Sequence, residues 1–177
     1  MEFFGNSTFD NYKVKKATVS DSALVFQILR DAASWLEDKG ISQWEHLHND
    51  VTIEEIEEDI REGITYVVLT AEDEPVATFN FSSKQNSWDV AMWGKRDDLA
   101  YYIHRLAVHK NHHNKQIGWK ALNWIEENIE LEGGFLRLDC IANNPVLNRF
   151  YQKAGYRFVG HVGEAEDKFS IYEKTLQ

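Results

Sequence analysis

The stretch LAYYIHRLAVHKNHHNKQIGWKALNWI, Leu99 to Ile125, reads as a strand, a loop and a helix in direct succession. Its first part, through Tyr101, Tyr102, Ile103, Leu106, Ala107 and Val108, is a short β-branched and aromatic run, the composition of a strand. A polar loop follows from His109 to Gln116, and from Gly118 the apolar positions Ala121, Leu122, Ile125 and Ile129 recur at helical spacing. The chain carries 29 acidic and 19 basic residues, yet no Asp or Glu stands between Asp98 and Glu126, where Arg105, Lys110, Lys115 and Lys120 all fall. A helix start with free backbone N–H groups behind a basic loop is a seat for a phosphate or pyrophosphate. The same residues also read as an ordinary connection with a solvated face, and spacing alone does not choose.

Around this stretch, 177 residues are enough for one domain with a full core, so one domain over residues 1–177 is expected, with residues 1–11 as a lead-in. Apolar content of 43% with 13% aromatics places the chain among globular proteins. A net charge of −10 argues against nucleic-acid and anionic-membrane partners, both of which need an extended basic face. No apolar run approaches a membrane span, no signal-peptide pattern opens the chain, and the single Cys140 has no internal disulfide partner. A soluble, cytoplasmic protein is expected, with a homodimer left open.

Upstream, Tyr12 to Ala17 reads as a strand, and the side-chain oxygens of Thr18 to Asp21 can cap a helix. Its face is Ala23, Leu24, Phe26, Ile28, Leu29, Ala32, Ala33, Trp35 and Leu36, running to Lys39 with Gly40 as the stop. Ile41 to Asp50 is aromatic and polar without a period, a loop near a site or a packed connection. Thr52 and Glu55 form a capping box for a helix with Ile53, Ile56 and Ile60 inward and acids outward, ending at Gly63. Ile64 to Thr70 and Val76 to Ser82 make a hairpin, and Ser83 to Asp98, with Trp88 and Trp93, reads as a polar excursion over a ligand or a loop anchored by buried tryptophans. Downstream, Gly133 and Gly134 end the helix, and Phe135 to Ile141 is a strand. Asn144 caps a helix with Pro145 at its first position and Gly155 as its stop, and strands at Tyr156 to Val162 and Phe169 to Thr175 close the chain. The order is β-α-α-β-β-β-α-β-α-β-β, an α/β fold with a mixed sheet and helices on both faces.

LAVHKNHHNKQIGWKAL is similar to the pyrophosphate loop of the GNAT family of acetyl-coenzyme A-dependent N-acyltransferases. Leu106, Val108 and Gly118 match its pattern, while His113 stands at a usual Arg or Gln and Gln116 at a usual Gly. LRLDCIANNPVLNRFYQKAGYRFVG, residues 136–160, resembles the family's second hallmark, with Asn144, Leu147, Tyr151, Gly155 and Tyr156 at the matching positions. The opening strand and helix are also similar, so the resemblance covers essentially residues 12–175.

The resemblance implies a splayed mixed sheet that binds acetyl-coenzyme A or coenzyme A as co-substrate. The strand edge at Leu106, Ala107 and Val108 would face the pantetheine arm, and the amides of His113, Asn114, Lys115, Gln116, Ile117, Gly118 and Trp119 would meet the pyrophosphate, with Asn144 completing the cofactor set. It further implies direct transfer of an acetyl group to an amine of a small molecule or peptide, with Tyr151 protonating the departing thiolate. A base must take the amine's proton, and His104 is the candidate, because it titrates in the right range and shares strand parity with Tyr102, Leu106 and Val108. Cys140, in an apolar strand, reads as a structural thiol. His109, His112 and His113 lack both the helical spacing and the Cys or carboxylate companions of a metal site, so no metal is assigned. A second reading is a family member that binds coenzyme A as a regulatory or assembly module without catalysis. The acceptor's identity is not written in these residues.

Overall fold

The computed structural model describes residues 2–38, 52–113, 115–130 and 132–177. The expected end of the first helix at Lys39 and Gly40, the loop from Ile41 to Asp50, and Asn114 lie outside the described residues. The chain divides into two compact units, one formed by Met1–Asn80 and Arg105–Glu130 and the other by Phe81–His104 and Leu131–Gln177.

In the first unit, β1 (Thr8–Phe9), β2 (Tyr12–Lys16), β3 (Thr65–Thr70) and β4 (Pro75–Ser82) form an antiparallel meander, β4 running two residues past the unit's boundary at Asn80. Side-chain oxygens cap here as expected: the Thr18 amide donates to Asp21 Oδ2 at the start of a short 3₁₀ turn that leads into α1 (Ser22–Asp38). Thr52 accepts a hydrogen bond from the Glu55 amide and starts α2 (Ile53–Arg61). Alternation along β3 sends Val67 and Leu69 to one face, where Val25, Ile28, Leu29, Ala33, Ile56 and Ile60 of α1 and α2 close over them. Each fully buried aliphatic side chain of this layer contributes about 1.5–3 kcal/mol. Tyr66 and Phe79 stack on the other face at 5.2 Å, and Trp124 of α4 (Ile117–Asn128) packs beside them with Ala121, Leu122 and Ile125 also buried. The residues read as a lead-in are tied down: Phe4 lies 4.6 Å from Trp124 and 5.3 Å from Tyr66, and Thr8–Phe9 pair with β2.

The second unit takes the N-terminal half of β5 (Ala100–Val108), then β6 (Phe135–Ile141), β7 (Arg157–Val162) and β8 (Phe169–Thr175), in the order β5-β6-β8-β7. Strands β5 and β6 are parallel over three pairs ending at Tyr102↔Arg137, whereas β6 and β8 pair over seven. At the break before β6 the chain needs glycine, because a Cβ on Gly134 would lie 2.5 Å from the Leu99 carbonyl oxygen. Two helices cover this unit's sheet. One, α5 (Pro145–Lys153), is capped by Asn144 and stopped at Gly155, which has φ +91°. The other, α3 (Ser87–Trp93), occupies the stretch expected as an excursion, and a capping box of Asn86 and Asp89 nucleates it.

The mixed α/β character and the helices on both faces stand as expected, with β1 and α3 added. His104 does not share strand parity with Leu106 and Val108, contrary to expectation. Arg105 has φ +52°, a left-handed residue inside a strand, so strict alternation ends there and His104 shares a face with Tyr102 but is not thereby aligned with Leu106 and Val108.

Candidate active site

The second unit gathers an acid–base cluster on one face of its sheet. His104 Nε2 lies 2.6 Å from Asp89 Oδ1, and Asp89 is only 1% exposed. The other Asp89 oxygen accepts the Asn86 amide, so one carboxylate starts α3 and holds the imidazole. An ionised carboxylate only accepts, which places a proton on His104 Nε2, fixes the ring and stabilises its protonated form. Asp139 stands on the same face by alternation from Arg137 and takes the Trp88 Nε1–H on Oδ2 at 3.1 Å. Burial pushes the Asp139 carboxyl pKa up; the His104 ring and the Trp88 donor pull it back, and Asp89 adds to the rise.

Arg137 supports this face. It is 1% exposed, donates to both Asp98 oxygens at 2.8 and 2.5 Å, to Glu173 at 2.8 Å and to Tyr102 Oη at 3.1 Å, and lies over the Trp93 and Phe135 rings at 5.0 Å each. The bidentate Arg137–Asp98 pair fastens the segment after α3 to β6.

Tyr151 is on α5, against the opposite face. Its ring lies 5.9 Å from Tyr172, whose hydroxyl donates to Asn148 Oδ1 on the same helix. Burial, with Cys140, Tyr156 and Asp139 nearby, pushes the Tyr151 phenol pKa up, so at neutral pH it keeps its proton. Burial, aided by Asp139, also pushes the Cys140 thiol up to about 12, which leaves it un-ionised and a poor nucleophile.

The first unit holds the polar loop between β5 and α4. Gln116 is the N-cap of α4 in the left-handed conformation, φ 57° and ψ 26°, and its side chain does not cap, so the amides of Ile117, Gly118 and Trp119 lack a side-chain acceptor from it. The loop is braced by imidazoles. Lys115 Nζ can only donate, so its 3.3 Å contact makes His112 Nδ1 the acceptor and directs Nε2–H to Glu74 at 3.4 Å. His113 Nε2 donates to the Val108 carbonyl at 3.1 Å and the ring meets Trp35 edge-on at 5.4 Å, while His109 Nδ1 accepts the Asn111 amide.

Residues 28–156 match the model of the acetyltransferase (GNAT) family. The chain belongs to the GNAT family. It is 31% identical over 169 residues to the uncharacterized N-acetyltransferase YesJ of Bacillus subtilis (strain 168), covering 94% of this chain and 92% of that one. A GNAT acetyltransferase structure from Listeria monocytogenes superposes with a TM-score of 0.75 at 25% identity, covering 93% and 95% of the two chains. The ribosomal L7/L12 α-N-protein acetyltransferase RimL, solved in complex with coenzyme A, shares the fold with a TM-score of 0.65 at 12% identity over 99% and 98% of the chains.

As a GNAT protein the chain is an acetyl-coenzyme A-dependent N-acetyltransferase, and this frame sorts the residues anticipated from sequence. Gln116 departs from the GNAT pattern in residue type but keeps the backbone that a glycine would adopt there. Asn144 is 3% exposed and its Oδ1 accepts the Leu147 amide, so it starts α5. The basic window is acid-free only along the chain. In space Arg105 pairs with Asp59 at 3.0 Å, Lys120 with Asp10 at 2.9 Å and Lys110 lies 3.9 Å from Asp31, while Lys115 is held by neutral His112. The three loop histidines each have separate partners, and among the described residues no group of three metal-ligating side chains forms. The sequence marks neither Asp89 nor Asp139 as a site residue and offers Trp88 only within the 83–98 stretch; Asn86 and Asp89, three apart, are the capping-box signal that exposes the helix. Among the described residues no helix is long and apolar enough to cross a membrane.

Proposed function

We propose that the whole chain acts as one N-acetyltransferase domain that moves the acetyl group of acetyl-coenzyme A directly to a primary amine of a small molecule or peptide. The observation that carries this reading is the imidazole of His104 held by a buried carboxylate at 2.6 Å. An aliphatic amine is protonated near neutral pH and attacks only after losing a proton, which His104 takes and passes to water. The neutral amine then adds to the thioester carbonyl, and the tetrahedral oxyanion collapses by breaking the C–S bond. The amide nitrogen sheds its second proton, and coenzyme A leaves as the thiol, with Tyr151 supplying the proton to sulfur and regaining one from solvent.

Direct transfer fits a cysteine that burial keeps un-ionised. The amides of Gln116, Ile117, Gly118 and Trp119, at an uncapped helix start, suit the pyrophosphate, and the strand edge at Leu106 and Ala107 suits the amide-rich pantetheine arm. His113 already engages the Val108 carbonyl, so its part is to shape the loop. The donor and a reduced thiol fit a cytoplasmic protein.

Release of coenzyme A thiol, followed with acetyl-coenzyme A and a panel of amino acids, polyamines, aminoglycosides and peptide N-termini, tests the reading. At least one amine is expected to give sustained turnover that His104→Ala lowers by about tenfold or more. Tight coenzyme A binding with no turnover across the panel would favour a binding module without catalysis.

A further inference from the structure

We propose that Asp139, fixed by Trp88, selects the acceptor by charge: it receives an aliphatic primary amine as its ammonium ion and disfavours an amine that carries a carboxylate. This deepens the reading of His104 as the base and rests on it.

The geometry begins with the sheet of the second unit. Alternation puts Tyr102 and His104 of β5 and Arg137 and Asp139 of β6 on one face, and the β5–β6 ladder ends at the Tyr102↔Arg137 pair, two residues before His104 and Asp139. The two side chains needed to receive and deprotonate an amine therefore stand just beyond the last pair.

The two carboxylates near the imidazole have different duties. Asp89 is fully engaged, one oxygen on His104 and the other on the start of α3. Asp139 is anchored through one oxygen only: Trp88 occupies Oδ2, and among the described residues Oδ1 takes no hydrogen bond. Trp88 is itself fixed, its ring edge-on to Phe169 at 4.9 Å, yet 40% exposed, so the indole that holds Asp139 reaches solvent.

The basic group that acts on Asp139 is the His104 imidazole, which draws its pKa down without hydrogen-bonding to it. Arg137, two residues earlier, is committed to Asp98 and Glu173, and the imidazole is committed to Asp89. Two carboxylates thus share one imidazole, and when His104 is neutral and competent as a base the surplus is negative. A primary ammonium brings the missing positive charge with three donors, and relieves the cost of keeping a half-buried carboxylate ionised beside Asp89. A substrate carboxylate in the same place meets two like charges at low dielectric.

Three acceptors of one skeleton test this: propylamine, 1,3-diaminopropane and 3-aminopropanoate, measured by turnover and by calorimetric binding to the protein with coenzyme A present. Wild type is expected to prefer the two cationic amines over the amino acid by about tenfold or more in affinity and in kcat/KM. Asp139→Asn should bring the three within about threefold, chiefly through KM, and Asp139→Glu should restore part of the preference. Equal binding of all three by wild type, or an unchanged preference in Asp139→Asn, overturns the assignment. His104→Ala separates it from the base reading. Undiminished kcat with the charge preference intact removes His104 as base and leaves Asp139 standing, whereas lost kcat together with a preference insensitive to Asp139→Asn removes Asp139 alone.

Discussion

Asp89 Oδ1 and His104 Nε2 are 2.6 Å apart, and the aspartate that holds the imidazole is the same residue that closes the capping box of α3. Replacing it with Asn removes the charge and keeps one acceptor oxygen, which can still take the Asn86 amide that starts α3. Asp89→Asn should therefore fold, while kcat/KM falls by about tenfold or more and the acid limb of the pH–rate profile moves to lower pH, because the imidazolium loses its counter-charge. A pH–rate profile with a thermal melt checks both halves; a change in melting alone would make Asp89 a helix cap and nothing else.

Tyr151 is packed among Cys140, Tyr156 and Tyr172, and burial keeps its phenol protonated. If it only packs, Tyr151→Phe loses one hydroxyl interaction, about 1 kcal/mol of stability, with chemistry untouched. As the acid for the thiolate it should instead lower kcat by at least about tenfold and leave acetyl-coenzyme A affinity within about threefold. Single-turnover rates beside equilibrium binding distinguish the two.

Gln116 holds a left-handed backbone at the start of α4. Glycine adopts that conformation freely, and against this stands the greater freedom of its unfolded chain, so Gln116→Gly should stabilise by up to about 1 kcal/mol. Removing the Cβ beside the helix amides should also tighten coenzyme A binding. Urea titration and calorimetry read the two effects separately, and unchanged affinity would mean that the Gln side chain does not crowd the phosphates.

Lys115 differs from Arg105, Lys110 and Lys120 in resting on a neutral imidazole instead of lying near a carboxylate. Lys115→Gln should weaken coenzyme A binding and flatten its dependence on ionic strength, while Lys120→Gln should do neither to the same degree. Calorimetry at low and moderate salt is the measurement.

Hydrogen bonding from Arg137 holds the Asp98 carboxyl below its ordinary range, against the opposing effect of burial. The folded pKa is lower than the unfolded one, so the pair's contribution is complete above the unfolded pKa and is lost as pH falls through the folded value. Asp98 is exposed and Glu173 still faces Arg137, so Asp98→Asn should lower stability at pH 7 by only about 1 kcal/mol and should reduce the further loss of stability on acidification. Melts from pH 7 down to the acid transition show both.

Most of the framework was legible because its signals are local. Thr52 with Glu55, Asn144 before Pro145, and Gly155 after Ala154 each announce a helix end through one hydrogen bond or one dihedral, and each end falls where those residues put it. The helix at Ser87–Trp93 is short and lies in a polar stretch with no apolar period, so its one local signal is the Asn86–Asp89 box. The site was legible in part. His104 could be nominated from its strand and its chemistry, but its partner lies 15 residues away on a helix the pattern did not show. Arg105 broke the alternation on which its parity was judged, and nothing in its residue type announces a positive φ. The acids that answer Arg105, Lys110 and Lys120 come from Asp59, Asp31 and Asp10, pairings that only the folded chain makes.

Cys140 is the chain's single cysteine, and its thiol is buried in β6 and un-ionised at neutral pH. Maleimides and haloacetamides react with exposed thiolates, so the native protein is silent to them. A cysteine introduced at any exposed position would then be the sole reactive one. Fluorophores or spin labels can be placed one at a time on the natural background, with no native thiol to remove and none of the repacking that removal would demand of β6.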